Sequence, residues 1–513
     1  MRGFAGGVRA LVVLAVLLVP AVAGAAPAGQ GEGAKPNIVL VLLDDLDAAA
    51  VAQMPNVAAL LGAQGTSFAN AFVTTPLCCP SRASLLRGQY VHNHGTLHHG
   101  PGSGFTAFYE QGRQESTVAT WLQAGGYRTA LYGKYLNGYP EGADLAHVPP
   151  GWDEWASGTK EAEPYGGFDY ELNENGAIVT YGARPEEYAT DVLAAKARGF
   201  VEGSVAEGRP FFLHLAPYAP HEPATPAPRH AEAFADATAP RGPSFNEADV
   251  ADKPGWVQGM PALDAAAEGE LDERYRQRLR SLQAVDELVA GLVGTLEEAG
   301  ALGNTFIFFT SDNGFHQGEH RLAEGKQTPY GESIRVPLLV RGPGVPAAAT
   351  VDAMALNVDL GPTFAALAGV AAPEFVDGRS LVPFLQGAPP AAWRQVGLVE
   401  HFGTVENWGR LATRTTKDRA DPTAERPATG RSLPVPPYAG LRTPELLYVE
   451  YETGERELYD LRADPHELEN LAAGADPATL EALAARLGEL RACEAAGCRA
   501  AEEGALDPAS VGM

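Results

Sequence analysis

The stretch Asn37-Ile38-Val39-Leu40-Val41-Leu42-Leu43-Asp44-Asp45, NIVLVLLDD, decides the fold. Ile38 to Leu43 are consecutive apolar residues, and two carboxylates follow at once. A run of that length without alternation predicts a strand buried on both faces, as in a mostly parallel sheet covered by helices. The same pattern recurs along the chain. YRTALYGKY predicts a strand ending near Tyr132, then Gly133 and Lys134. RPFFLHLAPYAPH predicts a strand from Phe211 to Leu215, then a proline-rich loop leading to His221. NTFIFFTSDNG predicts a strand from Thr305 to Thr310, then Asp312 and Asn313. Helical patterns lie between these runs, clearest over Glu273 to Glu298, weaker over Val118 to Ala124 and Glu186 to Glu202. Alternating strands and helices predict a doubly wound α/β domain. Ligands in such sheets bind at the carboxyl ends of the strands, so Asp44, Asp45, Lys134, His221, Asp312 and Asn313 are expected to converge on one site.

Further along, the chain changes character. ELLYVEYETGERELYDL alternates and turns at Thr453-Gly454, which predicts a hairpin, and a helix is expected near Pro477 to Arg491. With 513 residues, the chain suits a large α/β domain over residues 34–384 and a smaller C-terminal α+β domain over 385–513. Two proline-rich loops, Glu222 to about Pro261 and Asp421 to Gly440, are expected to form functional rims or mobile segments. Residues Met1 to Ala25 read as a secretory signal. Arg2 and Arg9 precede or enter an apolar stretch from Ala10 to Ala23, too short to span a bilayer, and Ala23-Gly24-Ala25 fits a cleavage site. No second long apolar segment follows, which predicts a secreted or cell-envelope protein with no membrane span. The net charge of −26 argues against nucleic acid and anionic membrane surfaces as partners. Cys493 and Cys498 are expected to form a small disulfide, with Gly497 letting the chain turn back.

Asp44, Asp45, Asp312 and Asn313 offer hard oxygen donors without a supporting thiol or histidine pair. That set suits Ca²⁺ or Mg²⁺ better than Zn²⁺. Each pair could instead be a solvated turn. Two pairs, each directly after a buried strand, favour the metal. The stretch Pro76-Leu77-Cys78-Cys79-Pro80-Ser81-Arg82 puts two of the four cysteines side by side. Pro80 and Ser81 can open a short helix ending before Gly88, leaving Cys78 just ahead of a helix N-terminus that favours an anion. Adjacent cysteines bridge poorly. A buried structural thiol and a catalytic thiolate both remain open on this reasoning.

Cys78-x-Pro80-Ser81-Arg82, followed by Leu86-Arg87-Gly88, resembles the sulfatase signature. NIVLVLLDD, GKYLNGY, APHEP, SDNGFHQGEHR, EGKQTPYGESIRVPLLVRGPG and ELYDLRADPHELENLA match family blocks in order over nearly the whole mature chain. CCPSR and GKYLNGY are most similar to the N-acetylglucosamine-6-sulfatase and arylsulfatase branch. The resemblance implies an alkaline-phosphatase-like fold, with a large mostly parallel or mixed sheet sandwiched by helices and a C-terminal antiparallel sheet. It implies that a separate maturation enzyme oxidises Cys78 to Cα-formylglycine. The hydrated aldehyde would attack sulfur with one hydroxyl and expel sulfate through the other.

Carried over by position, the family pattern implies metal ligation by Asp44, Asp45, Asp312, Asn313 and the modified Cys78, with Ca²⁺ favoured over Mg²⁺. Arg82 would steady the aldehyde hydrate. Lys134 and Lys326 would bind the sulfate, and His221 would protonate the leaving alcohol. The implied reaction is hydrolysis of a sulfated sugar or aryl sulfate. The alternative is phosphonate or phosphate monoester hydrolysis on the same superfold. One departure stands out: many sulfatases carry a second histidine two residues after the lysine, and here that position is Leu136. His316 is a candidate to handle the formylglycine hydroxyl proton. The cluster His92, His94, His98 and His99 is expected near the active-site helix, a zinc site being the other reading. Glu400-His401 is expected either to line the substrate pocket or to form a plain strand-end turn.

Overall fold

The computed structural model describes residues 1–3, 35–99, 102–403 and 435–504. The signal-like segment therefore lies almost wholly outside the described residues. Among the described residues sixteen strands form, in chain order: β1 (Asn37–Leu43), β2 (Thr66–Phe68), β3 (Ala71–Phe72), β4 (Arg128–Gly133), β5 (Glu154–Gly158), β6 (Tyr170–Glu174), β7 (Ala177–Tyr181), β8 (Phe211–Ala216), β9 (Thr305–Ser311), β10 (Leu338–Arg341), β11 (Ala349–Val351), β12 (Ala355–Leu356), β13 (Gly397–His401), β14 (Tyr438–Arg442), β15 (Leu446–Tyr451) and β16 (Arg456–Asp460).

Ten of these make one sheet, ordered β11-β2-β10-β9-β1-β8-β4-β5-β6-β7. Its centre, β9-β1-β8-β4-β5, is parallel throughout, and β10, β6 and β7 add antiparallel pairs toward the edges. The apolar runs read from the sequence are this centre. Side chains alternate across a strand, so one run feeds two cores. Ile38, Leu40 and Leu42 of β1 join one buried cluster, while Val39, Val41 and Leu43 join the other. Helices Cys78–Arg87, Val118–Ala124 and Leu360–Leu367 cover the first face through Leu86, Leu122 and Phe364. Helices Ala189–Ala206 and Ala265–Glu298 cover the second through Phe200, Leu282 and Val289. Burying a strand on both sides leaves its polar ends as the place where chemistry can emerge.

Three local expectations are corrected. The long helix starts at Ala265 rather than Glu273, because the Asp264 carboxylate caps the amides of Ala266 and Ala267. Its first turns are alanine-rich and exposed, so they show no apolar period. The pattern over Glu186 to Glu202 resolves into a 3₁₀ turn at Pro185–Glu187 and a helix over Ala189–Ala206. The second proline-rich segment stops short of Gly440, since Tyr438–Arg442 is β14; residues 421–434 lie outside the described residues.

Strands β13 to β16 form a separate antiparallel sheet, and β15 and β16 are the predicted hairpin. Helix Pro477–Arg491 forms as expected. Cys493 and Cys498 are disulfide-bonded, but Gly497 lies inside helix Ala496–Glu503, and the turn is made by Ala495 with φ 51°. We propose 384/385 as a topological domain boundary, because the second sheet opens just beyond it. The apolar core runs across that boundary: Leu447 and Leu483 share a cluster with Leu86 and Phe364. From Lys35 on, the chain forms one compact unit.

Candidate active site

The carboxyl ends of β1, β4, β8 and β9 meet at one buried pocket. Asp44 and Asp45 follow β1, Lys134 follows β4, His221 lies in the turn after β8, and Asp312 and Asn313 follow β9. Asp45 adopts φ 66°, a left-handed turn conformation that Asp tolerates better than most residues. Gly133 allows β4 to pass β8 closely, since a Cβ there would lie 1.9 Å from the Ala216 carbonyl oxygen. Lys134 enters the pocket immediately afterward.

Cys78 is the first residue of helix Cys78–Arg87, one position further into the helix than expected. Gly88 closes that helix with φ 64°. The Cys78 thiol lies 3.3 Å from Asp44 Oδ1 and 3.7 Å from Asp45 Oδ1, and Lys326 Nζ lies 2.6 Å from Cys78 Sγ. Lys326 also pairs with Asp45 Oδ1, and Lys134 Nζ donates to Asp44 Oδ2 at 2.7 Å. Arg82, one turn along the helix, donates through Nε to Asp312 Oδ2 at 2.7 Å and through Nη1 to the Lys134 carbonyl at 2.9 Å. His221 Nε2 lies 3.7 Å from Asp45 Oδ2, while its Nδ1 donates to the Glu222 carbonyl at 2.8 Å. Asn313 Nδ2 donates to Asp45 Oδ1 at 2.7 Å. The structure thus brings Asp44, Asp45, Cys78, Arg82, Lys134, His221, Asp312, Asn313 and Lys326 together.

Burial and charge compete here. Burial alone would raise the Asp44 carboxyl, but Lys134, His221, Arg82 and Lys326 outweigh it and hold Asp44 well below the usual range. Asp45 is lowered in the same way, chiefly by Lys326 and His221. Asp312 goes the other way, raised by burial despite Arg82. Burial also pushes the unmodified Cys78 thiol well above its ordinary value, in spite of Lys134 and Lys326. A plain thiolate at Cys78 is therefore disfavoured. The neighbouring Cys79 is buried in the apolar core, its thiol pushed up to about 12 by burial.

Asp45 Oδ2 and Asn313 Oδ1 are buried acceptors with no hydrogen-bond donor. Such atoms are costly to bury unless something positive meets them. Together with Asp44 and Asp312 they make a hard-oxygen donor set beside Cys78, and ligand atoms of Asp44, Asp45, Cys78 and Asp312 lie within 4.8 Å of one another. The residues present fit a hard divalent cation.

Several contributors were not singled out from sequence. The Tyr165 ring packs 4.6 Å from the His221 ring, and Lys134 Nζ lies 5.2 Å from its centre. Its hydroxyl is buried without a partner. Nothing local marks Tyr165, which sits on a short 3₁₀ turn between β5 and β6. Arg278 of the long helix donates to the carbonyls of Asp45 and Pro220, clamping the two turns that carry Asp45 and His221. The helical period hid it as one more polar position.

The histidine cluster divides. His92 pairs with Glu400 at 2.7 Å, His94 Nε2 lies 2.9 Å from Ser84 Oγ, and His99 Nε2 accepts from the Cys79 amide at 3.2 Å. These partners differ, so no zinc set forms from those three. His99 does reach the active-site helix, and it is held neutral by burial and by Lys326 and Lys134. Glu400 belongs to β13 and brackets His92, and buried His401 packs on Tyr438, so neither is a plain turn. His316 is buried with Nε2 2.6 Å from Thr328 Oγ1.

The mixed ten-stranded sheet between helix layers, with charged residues at the strand ends, has the alkaline-phosphatase-like architecture. The sulfatase family model matches residues 36–370. The N-acetylglucosamine-6-sulfatase of Capra hircus is 37% identical over 498 residues, covering 92% of this chain and 86% of the goat protein. An arylsulfatase of Volvox carteri is 36% identical over 526 residues, covering 95% and 79%. A solved protein bound to its substrate D-glucosamine-2-N,6-O-disulfate superposes with TM-score 0.70 and 25% identity, covering 89% and 97%. The chain belongs to the sulfatase family.

Proposed function

We propose that this sulfatase releases inorganic sulfate from a 6-O-sulfated amino sugar, and accepts aryl sulfates in an assay. The observation that carries the reading is the pair of buried, donorless oxygens Asp45 Oδ2 and Asn313 Oδ1 beside Cys78 at a helix start. The substrate class rests on the names of the related proteins.

Asp44, Asp45, Asp312, Asn313 and the modified Cys78 would hold a Ca²⁺ ion, which would supply Lewis-acid charge, and formylglycine made from Cys78 would supply a paired-hydroxyl nucleophile. The chain's own residues do the rest. Lys134 and Lys326 place fixed positive charge where the sulfate oxygens gain negative charge. Arg82, locked onto Asp312 and the Lys134 carbonyl, holds the helix start against the strand ends. His221 holds its Nδ1 proton on the Glu222 carbonyl and turns Nε2 into the pocket, where it serves the leaving alcohol. The packed Tyr165 ring helps fix that imidazole.

Export through the N-terminal segment completes the proposal. Among the described residues no helix is long and apolar enough to cross a membrane. The test is co-expression with a formylglycine-generating enzyme, mass spectrometry of the Cys78 peptide, and kinetics on glucosamine 6-sulfate, an aryl sulfate and an aryl phosphonate. Conversion of Cys78 with preference for the sulfates is expected. Full activity with Cys78 unmodified, or preference for the phosphonate, would sink the reading.

A further inference from the structure

Apart from the catalytic pocket, the structure buries a second set of metal-type donors. His320 has 0% exposure and comes from the segment that follows Asn313. Its Nδ1 lies 2.6 Å from Glu247 Oε2, and with that carboxyl ionised beside Lys253, 3.6 Å away, the oxygen only accepts. Nδ1 therefore carries the ring proton, and Nε2 presents a lone pair. That Nε2 is buried and has no partner.

What faces it is also an acceptor. Glu332 Oε2 lies 4.0 Å away, and it too is buried without a donor. Glu467, beyond β16, completes the group; the ligand atoms of His320, Glu332 and Glu467 lie within 4.8 Å of one another. Glu467 is held in place by Arg442 at 3.0 Å and by the Gly331 amide at 2.9 Å. His320 Nε2 and Glu332 Oε2 thus face each other with no donor between them, beside Glu467, whose oxygens each accept from one donor and keep a further lone pair. A shared proton does not bridge the 4.0 Å gap, because a hydrogen bond needs about 2.7–3.2 Å. A cation does: two metal–ligand bonds of about 2.0–2.2 Å meeting at a tetrahedral angle hold their donors about 3.3–3.6 Å apart, a closure of a few tenths of an ångström from the gap here.

We infer that His320 Nε2, Glu332 and Glu467 form a second metal site, for a first-row divalent ion such as Zn²⁺. An imidazole nitrogen disfavours Ca²⁺ and Mg²⁺, which separates this site chemically from the all-oxygen catalytic set. The Glu247–His320 hydrogen bond is the outer partner that fixes the tautomer of a ligating histidine and raises its basicity. Lys253 stands 3.6 Å behind Glu247 and donates to the Glu467 and Leu468 carbonyls, so the outer shell is itself braced. Burial, Glu319 and Glu467 push the Glu332 carboxyl well above its usual range, as for a carboxylate lacking its counter-charge. The ion would staple the loop after β16 to the segment between Asn313 and Glu332, which carries Lys326 into the active site.

The test uses the full chain in a Cys78→Ala background, which removes the active-site thiol as a competing ligand. Protein stripped with chelator and then saturated with Ca²⁺ is titrated with Co²⁺ and separately with Zn²⁺. Visible absorption, elemental analysis and thermal midpoint are recorded. The expected result is a single tightly held equivalent with visible cobalt bands and a raised midpoint. Glu332→Gln, isosteric and only partly buried, should weaken uptake by at least about 100-fold while remaining folded by circular dichroism. His320→Gln should do the same, and Asp45→Asn should not. Absence of Co²⁺ and Zn²⁺ uptake at millimolar metal, or equal uptake by Glu332→Gln and its parent, would overturn the site.

Discussion

The Arg394 cluster and the Asp44–Asp45 pocket are both buried and built from the same residue types, but one is closed and the other open. Arg394 pairs with both oxygens of Asp359 and donates to Glu502 at 3.1 Å. The remaining capacity of those carboxylates is filled by the Leu356 and Arg379 amides, the Tyr90 hydroxyl and the Arg379 guanidinium. No side-chain atom of Arg394, Asp359, Glu502 or Arg379 is buried without a partner. In the active-site pocket Asp45 Oδ2, Asn313 Oδ1 and Arg82 Nη2 all are. A closed network ties Tyr90, next to the active-site helix, to helix Ala496–Glu503. An open one keeps binding capacity for a cation and an anionic substrate. Unsatisfied buried polarity separates a reacting site from a structural one more sharply than charge or burial does.

The hardest blow to this contrast comes from Cys78→Ala. Turnover should fall to background, by more than about a million-fold, while the unfolding midpoint hardly moves. Cys79→Ala, one residue away, should change kcat only a few-fold, since its thiol packs in the core. Rate assays beside urea melts of both variants separate the two cysteines. On the closed side, Arg394→Met should cost about 3–5 kcal/mol of stability by leaving Asp359 buried without its counter-charge, while Glu502 keeps Arg379. The folded fraction should keep its kcat, and a large kcat loss would move Arg394 into the reaction.

Lys134→Ala should lower kcat by about 10²–10³, roughly 3–4 kcal/mol of transition-state stabilisation, with a smaller change in the melt. Steady-state kinetics with a protein-stability control decide it. The smallest effect belongs to the His92–Glu400 pair. Burial lowers the His92 imidazole, but the Glu400 hydrogen bond and charge more than reverse it, so its folded value is raised. A raised imidazole contributes stability that is fully present below the unfolded value, about 6.5, and lost as pH rises through the folded value. The stability gap between wild type and His92→Gln should therefore shrink as pH rises above about 6.5 and through the raised folded value, measured by urea melts at each pH.

Four strands of the sheet were legible because each is an unbroken apolar run ended by polar residues, and that pattern has one cheap physical solution: burial on both faces. The strand-end rule groups Asp44, Asp45, Lys134, His221, Asp312 and Asn313, the motif around Cys78 supplies Arg82, and the family block EGKQTPYGESIRV supplies Lys326. Tyr165 stayed hidden because a 3₁₀ turn between β5 and β6 delivers it across the sheet to His221. Arg278 stayed hidden because a clamp on two backbone carbonyls has no sequence signal. The first turns of the long helix were missed because their stability comes from the Asp264 cap and not from an apolar stripe.

The sequence by itself determined the α/β layering, the family and the chemical types at the strand ends, since those follow from hydrophobic runs and from residue identity. Only the tertiary structure decided which buried charges are matched and which are left open. Arg394 with Asp359, and His320 with Glu332, are separated along the chain by loops and helices of no fixed pattern. Whether such groups meet a donor or only each other is settled by packing at the scale of a single hydrogen bond, about 3 Å, which composition and periodicity do not encode.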